Sequence, residues 1–146
     1  MQGPSEGREQ QLRVLRIVCF AILMGVVMFA GVVWYLVNPG GIRLGEAFPS
    51  YLSTLLNLAA LGLLLIAHLI PKLLKAPGGD APEESHLAWF TRVTIIAFAL
   101  REGAAFVALV GVLVTGQQAG GFAVAGLAVA AMIYEWPRAS RLQRGH

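Results

Sequence analysis

Four long apolar runs decide what this chain can become: Val14–Val37, Tyr51–Ile70, Val93–Thr115 and Gln118–Trp136. Each approaches or exceeds the ~20 residues that an α-helix needs to cross about 30 Å of hydrocarbon. The fourth is the shortest and is rich in Ala and Gly. With 57% hydrophobic and 13% charged residues, the chain has too little polar surface to cover a soluble domain of its length. The expected fold is all-α: an integral membrane antiparallel four-helix bundle over residues 14–136. A polar tail, 1–13, precedes it and a basic tail, 137–146, follows.

The first run is expected to be retained as a helix. Arg8 and Arg13 precede it, and Arg16 stands in its first turn, as the basic region of a signal peptide would. The apolar stretch is too long for one, however, and it closes on Trp34-Tyr35 without a small-x-small cleavage pattern. Cys19 lies inside this run and is the single cysteine, so no disulfide framework forms within one chain. It reads as a small packing residue.

Orientation follows from the cations. With four spans, both tails and the second connection share one side. That side holds Arg8, Arg13, Arg16, Lys72, Lys75, Arg92, Arg138, Arg141 and Arg144. The other side holds Arg43. Nine against one predicts cytoplasmic termini. The basic balance therefore reflects topology and anionic headgroups, and no nucleic-acid partner is expected. Aromatic placement agrees: Trp34, Tyr35 and Tyr51 fall at the outer interface, and Trp89, Tyr134 and Trp136 at the inner one. The connections NPGGIRLGEAFPS, APGGDAPEES and GQQAGG carry turn residues. The first of them has room for a short interfacial segment.

Helix association in lipid relies on close packing, which small residues permit. The third run carries Ala104, Ala108, Gly111 and Thr115 at three- and four-residue steps. The fourth offers Ala119, Ala123, Gly126 and Ala130 in the same rhythm. These two stripes are expected to face one another in a tight hairpin. The alternative for such stripes is a ring-forming or partner-binding face.

Ionisable residues within the spans are costly and mark candidate functional positions. Arg101 and Glu102 sit about 14 Å inside the third span, in the stretch ALREGAAFVALVG. Adjacent residues on a helix diverge by about 100°, so the two do not form a pair and enter different environments. Arg101 leans toward the helix N-terminus, where its tip reaches the depth of His68 or Glu135. Those two are its candidate charge partners. Glu102 is shorter, and its own face, with Ile95, Phe98, Ala99, Ala105, Phe106 and Leu109, carries no cation. Without a partner from another helix, burial favours the neutral acid. Glu102 is thus the candidate ion-binding residue.

The stretch ALREGAAFVALVGVLVTG resembles the carboxylate-bearing helix of the c subunits (proteolipids) of rotary ATP synthases. Ala99-Leu100-Arg101-Glu102-Gly103-Ala104 follows that form, and the resemblance implies an ion-binding role for Glu102. The preceding run, LSTLLNLAALGLLLIAHLIPKLL, has no repeated Gly-x-Gly spacing, and two further spans are present. Most of the chain is also similar to a family of small bacterial four-helix membrane proteins. The likeness rests on the Leu-x-Glu stretch and on the closing Trp136-Pro137-Arg138.

Motifs for other chemistry are missing from the sequence. PGGDAP is a turn sequence, not a phosphate-binding loop, and His68, His86 and His146 are scattered without metal-ligand spacing. No catalytic residue, cofactor or metal is expected. Two functions stay open. One is a non-enzymatic accessory or assembly subunit that packs, within the bilayer, against itself or a partner membrane protein. The other is a proton- or cation-handling subunit in which Glu102 loads and releases the ion.

Overall fold

The computed structural model describes residues 4–38, 48–49 and 51–137. Arg43 and most of the first connection, residues 39–47 and 50, lie outside the described residues, as do Arg138, Arg141 and Arg144 of the basic tail. The regular structure of the described residues is all helical, in four elements: α1 (Pro4–Val37), α2 (Tyr51–Leu73), α3 (Glu83–Thr115) and α4 (Gln118–Tyr134). Three of them, α1, α2 and α3, are long and apolar enough to cross a membrane. The 17 residues of α4 span about 25 Å, short of a full hydrocarbon core.

Two helices outrun their apolar segments. Pro4 opens α1 where its missing N–H is harmless, and the polar stretch behind it is rich in Glu, Gln and Arg, which favour helix. The extension is held by packing, since Leu12 and Leu15 are buried. α3 likewise starts at Glu83, ahead of Val93. Pro82 stands before it in an extended conformation. Leu87 and Val93 then bury against the rest of the chain.

α3 is the central helix. Half of its apolar window is buried by the other helices, against 17% for α1 and for α2. One of its faces carries Phe98, Ala105, Leu109 and Val112 into a cluster with Cys19, Val26 and Val33 of α1 and Ala125, Ala128 and Met132 of α4. Another carries Ala104 and Ala108 against Ala60 of α2 and Val124 of α4. Buried Leu12, Cys19, Val26 and Val33 of α1, with Leu15 beside the first of them, and Ser53, Ala60 and Ala67 of α2 recur every seven residues. That spacing keeps one narrow seam of each helix on α3, as in a coiled coil.

Paired residues fix how the helices run. Leu56 early in α2 lies against Gly111 late in α3, while His68 near the end of α2 faces Glu135. Phe29 of α1 packs at a tilt against Phe106 of α3 with ring centroids 4.8 Å apart, and Trp34 meets Phe122 of α4 edge-on at 5.6 Å. The link from α3 to α4 is short because Gly116 adopts a left-handed conformation (φ 70°), its N–H donating to the Val112 carbonyl at 2.8 Å. Thr115 adds a hydroxyl bond to the Gly111 carbonyl at 2.7 Å.

The small-residue hairpin forms with a different face of α4 than its sequence suggests. Ala104, Ala108 and Gly111 of α3 are buried, but Ala119, Ala123, Gly126 and Ala130 of α4 are exposed. The buried face of α4 is Gly121, Val124, Ala125, Ala128 and Met132. The two sets differ by two residues, a rotation of about 200°, so the expected face points away from α3. Gly121 makes the close approach: a Cβ there would collide with Val112 Cγ2 and stand 2.7 Å from the Ala108 carbonyl oxygen. A Cβ on Gly126 would meet nothing within 4 Å.

Candidate functional site

The charged centre of the chain lies where α4 ends beside the first half of α3. Arg101 stands on the face of α3 that also presents Ala97 and Ala104, and it is 2% exposed. Its Nη2 donates to Glu135 Oε2 at 2.5 Å. Glu135 is delivered by the end of α4, where its own N–H still bonds the Ala131 carbonyl. His68 of α2 is on the other carboxylate oxygen, with Nδ1 3.9 Å from Oε1, and is itself 63% exposed. The structure thus brings Arg101, Glu135 and His68 together. Arg101 does not snorkel out to bulk water; it meets its carboxylate inside the protein.

Two further contacts hold this end. Trp136 sets its ring edge-on to Phe98 of α3, with centroids 6.4 Å apart. Arg16 of α1 donates Nε–H to the carbonyl of buried Pro137 at 3.2 Å. Three consecutive residues, Glu135, Trp136 and Pro137, therefore tie the end of α4 to α3 and α1. The Arg101 guanidinium carbon also lies 6.0 Å from the centre of the Phe98 ring, within range of a cation–π attraction.

Beside this cluster is a pocket of about 240 Å³, lined by Pro71 at the end of α2, by residues of α3 from Trp89 to Arg101, and by Glu135. Two of the lining residues, Arg101 and Trp89, each carry a buried nitrogen, Nη1 and Nε1, that has no acceptor among the described residues. Neither the pocket nor its unsatisfied indole is visible as a sequence motif. The available signal was the position of Trp89, three turns before Arg101 on the same helix.

Glu102 is placed elsewhere. It is half-buried on the side of α3 that meets α1, and its Oε1 lies 3.6 Å from the point a Gly25 Cβ would occupy. The absent side chain of Gly25 makes room for this carboxyl. Among the described residues Glu102 has no hydrogen bond or ion pair, and Arg101 is directed to a different helix. No group of three or more His, Cys, Asp or Glu side chains with metal-holding geometry occurs among the described residues.

No protein-family model, curated protein or solved structure matches this chain.

Proposed function

We propose that this chain is a multi-pass membrane protein without catalytic chemistry, an accessory or assembly subunit that packs against copies of itself or a partner membrane protein. Its three long apolar helices and α4 would stand as an antiparallel bundle in a bacterial inner membrane, with both tails in the cytoplasm. The Arg101–Glu135 pair carries this reading. The deepest cation of α3 is used to hold α3 to α4 within the chain, a structural role for a charge that sequence marks as functional. The large exposed apolar side chains of α1 and α2, among them Val27, Met28, Val32, Leu55, Leu58 and Leu65, supply a surface for lipid or for partner helices.

A second reading rests on Glu102. A half-buried carboxyl without a partner among the described residues, seated where Gly25 leaves space, is a place for a proton or small cation, as in a c-subunit-like rotor helix. The carboxyl infrared band of Glu102 separates the two. It would be recorded against pH in the full chain embedded in bilayer and identified with Glu102→Gln. A band that stays ionised, or stays protonated across the accessible range, is the result expected of an accessory protein. Reversible titration near neutral pH would overturn that reading and favour ion handling.

A further inference from the structure

We propose that the open groove between the N-terminal halves of α1 and α3 seats one anionic diacyl phospholipid, its phosphate on Arg92 and the upper part of an acyl chain along Val14, Val18 and Ile95. The groove measures about 690 Å³, within the ~300–1,000 Å³ of small-molecule sites. It lies across a boundary written in the sequence. The apolar runs begin at Val14 on α1 and Val93 on α3, and both helices continue outward beyond them through more polar sequence. Gln10, Gln11, Thr91 and Arg92 line the outer end of the groove; Val14, Val18 and Ile95 line the inner end. Val14 and Ile95 are left uncovered by the protein itself. In the bilayer arrangement proposed above, the first set stands at headgroup depth and the second in hydrocarbon. A guest that fills both is polar at one end and apolar at the other.

Charge selects the headgroup. Arg92 is exposed and makes no ion pair or hydrogen bond with another described residue. No acid is among the described residues that line the groove. Glu9 lines the neighbouring hollow on α1, where Arg13 and Arg16 accompany it, and Glu84 stands about 12 Å along α3 from Arg92. The cation in the groove is therefore free for an anionic guest. An arginine fork takes two phosphate oxygens at once, and the Gln10 and Gln11 amides and the Thr91 hydroxyl offer further donors. Basic pockets between membrane helices on the cytoplasmic side are where anionic headgroups lodge. The groove also stops early. Deeper along the same seam Glu102 fits the space at Gly25, and Phe29 packs against Phe106. From Gly7 to Val18 it runs about 17 Å along α1, enough for a headgroup layer of about 6 Å and the first carbons of a chain. A partner's transmembrane helix needs a continuous face, which this seam does not offer. The inference rests on the reading of the chain as a membrane protein, and on neither role given to Glu102.

The test uses the full chain, first floated with phosphatidylcholine vesicles and then taken into maltoside micelles. Dioleoyl phosphatidylglycerol, dioleoyl phosphatidylcholine and sodium phosphate are added in separate titrations at constant ionic strength, and bound molecules are counted by native mass spectrometry. The expected result is one phosphatidylglycerol retained saturably, at about tenfold lower concentration than phosphatidylcholine, with phosphate alone not retained. Arg92→Gln should abolish that preference, whereas Arg13→Gln, in the neighbouring hollow, should leave binding within about twofold. Ala88→Phe, which fills the groove and keeps Arg92, should lose the retained lipid; circular dichroism confirms that each variant is helical. Equal retention of the two lipids would overturn the proposal, as would an Arg13→Gln loss as large as that of Arg92→Gln. So would undiminished binding in Ala88→Phe, retention of phosphate alone, or a second copy of the chain in place of lipid. A chain that does not float with vesicles overturns the membrane reading and this proposal together; one that floats but fails the titrations overturns the groove alone.

Discussion

Alanine substitution at Gly121 and at Gly126 should give opposite results, and the difference measures how α4 is seated. Both positions lie within α4, so both gain up to about 1 kcal/mol from the better helix propensity of Ala. At Gly126 nothing within 4 Å opposes the new methyl. At Gly121 the methyl overlaps Val112 Cγ2 and sits 2.7 Å from the Ala108 carbonyl oxygen. Val112 is 1% exposed and β-branched, so it has no easy alternative rotamer. The carbonyl belongs to the backbone of α3 and cannot turn aside. Restoring a carbon–oxygen contact of about 3.3 Å requires the helices to part by roughly 0.6 Å, and relieving the overlap with Val112 requires more. Overpacking of this sort costs about 3 kcal/mol, at the upper end of the usual range. Gly121→Ala should therefore destabilise by about 2 kcal/mol net, and Gly126→Ala should be neutral or stabilise by up to about 1 kcal/mol. The assay is reversible unfolding in mixed dodecyl sulfate and maltoside micelles, followed through Trp136 fluorescence. If the two variants fall within about 0.5 kcal/mol of each other, the seating of α4 on α3 described above is wrong.

Further outcomes follow from the same packing. Glu135→Ala should destabilise by about 3 kcal/mol, the lower end for a broken buried pair because Glu135 is 24% exposed. The double variant Arg101→Met with Glu135→Leu should recover most of that loss in the same unfolding assay, since no unpaired charge remains. Cys19, 0% exposed, should react slowly with a membrane-permeant maleimide in the folded chain and rapidly in dodecyl sulfate; mass spectrometry of the adduct follows both rates. Arg16→Ala should cost about 1 kcal/mol through the lost bond to the Pro137 carbonyl, read as a lower unfolding midpoint.

What the sequence made legible was governed by local physics. Hydropathy located all four helices, and the Gly116 turn sat where composition placed it. The polar stretches before Val14 and Val93 were expected outside the helices, yet both belong to them. Their helical state depends on Leu12 and Leu87 finding a neighbour, which hydropathy averaged over a window does not register. The face of α4 was harder still. Ala and Gly are so frequent there that two opposite stripes carry the same rhythm, and only contact with Val112 and Ala108 distinguishes them. For Arg101 the depth argument brought His68 and Glu135 within reach. Choosing Glu135 required knowing how α4 ends, a property of the assembled helices. Glu102 was read as lacking a cation on its own face; that Gly25 gives it room is a relation between two helices with no trace in either alone.

The pairing of Arg101 with Glu135 has a consequence for the order of synthesis. The two residues are 34 positions apart, with the cation made first. An arginine near mid-span opposes membrane insertion by roughly 3 kcal/mol while it stands alone. α3 would face that opposition on its own until α4 emerges, whereas a helical hairpin carries its own counter-charge. The two-residue link at Gly116 and Gln117 keeps the nascent carboxylate close to its target. Under the proposed bilayer arrangement, the last two helices would therefore enter as one unit, with the charge of α3 matched before it is committed to lipid.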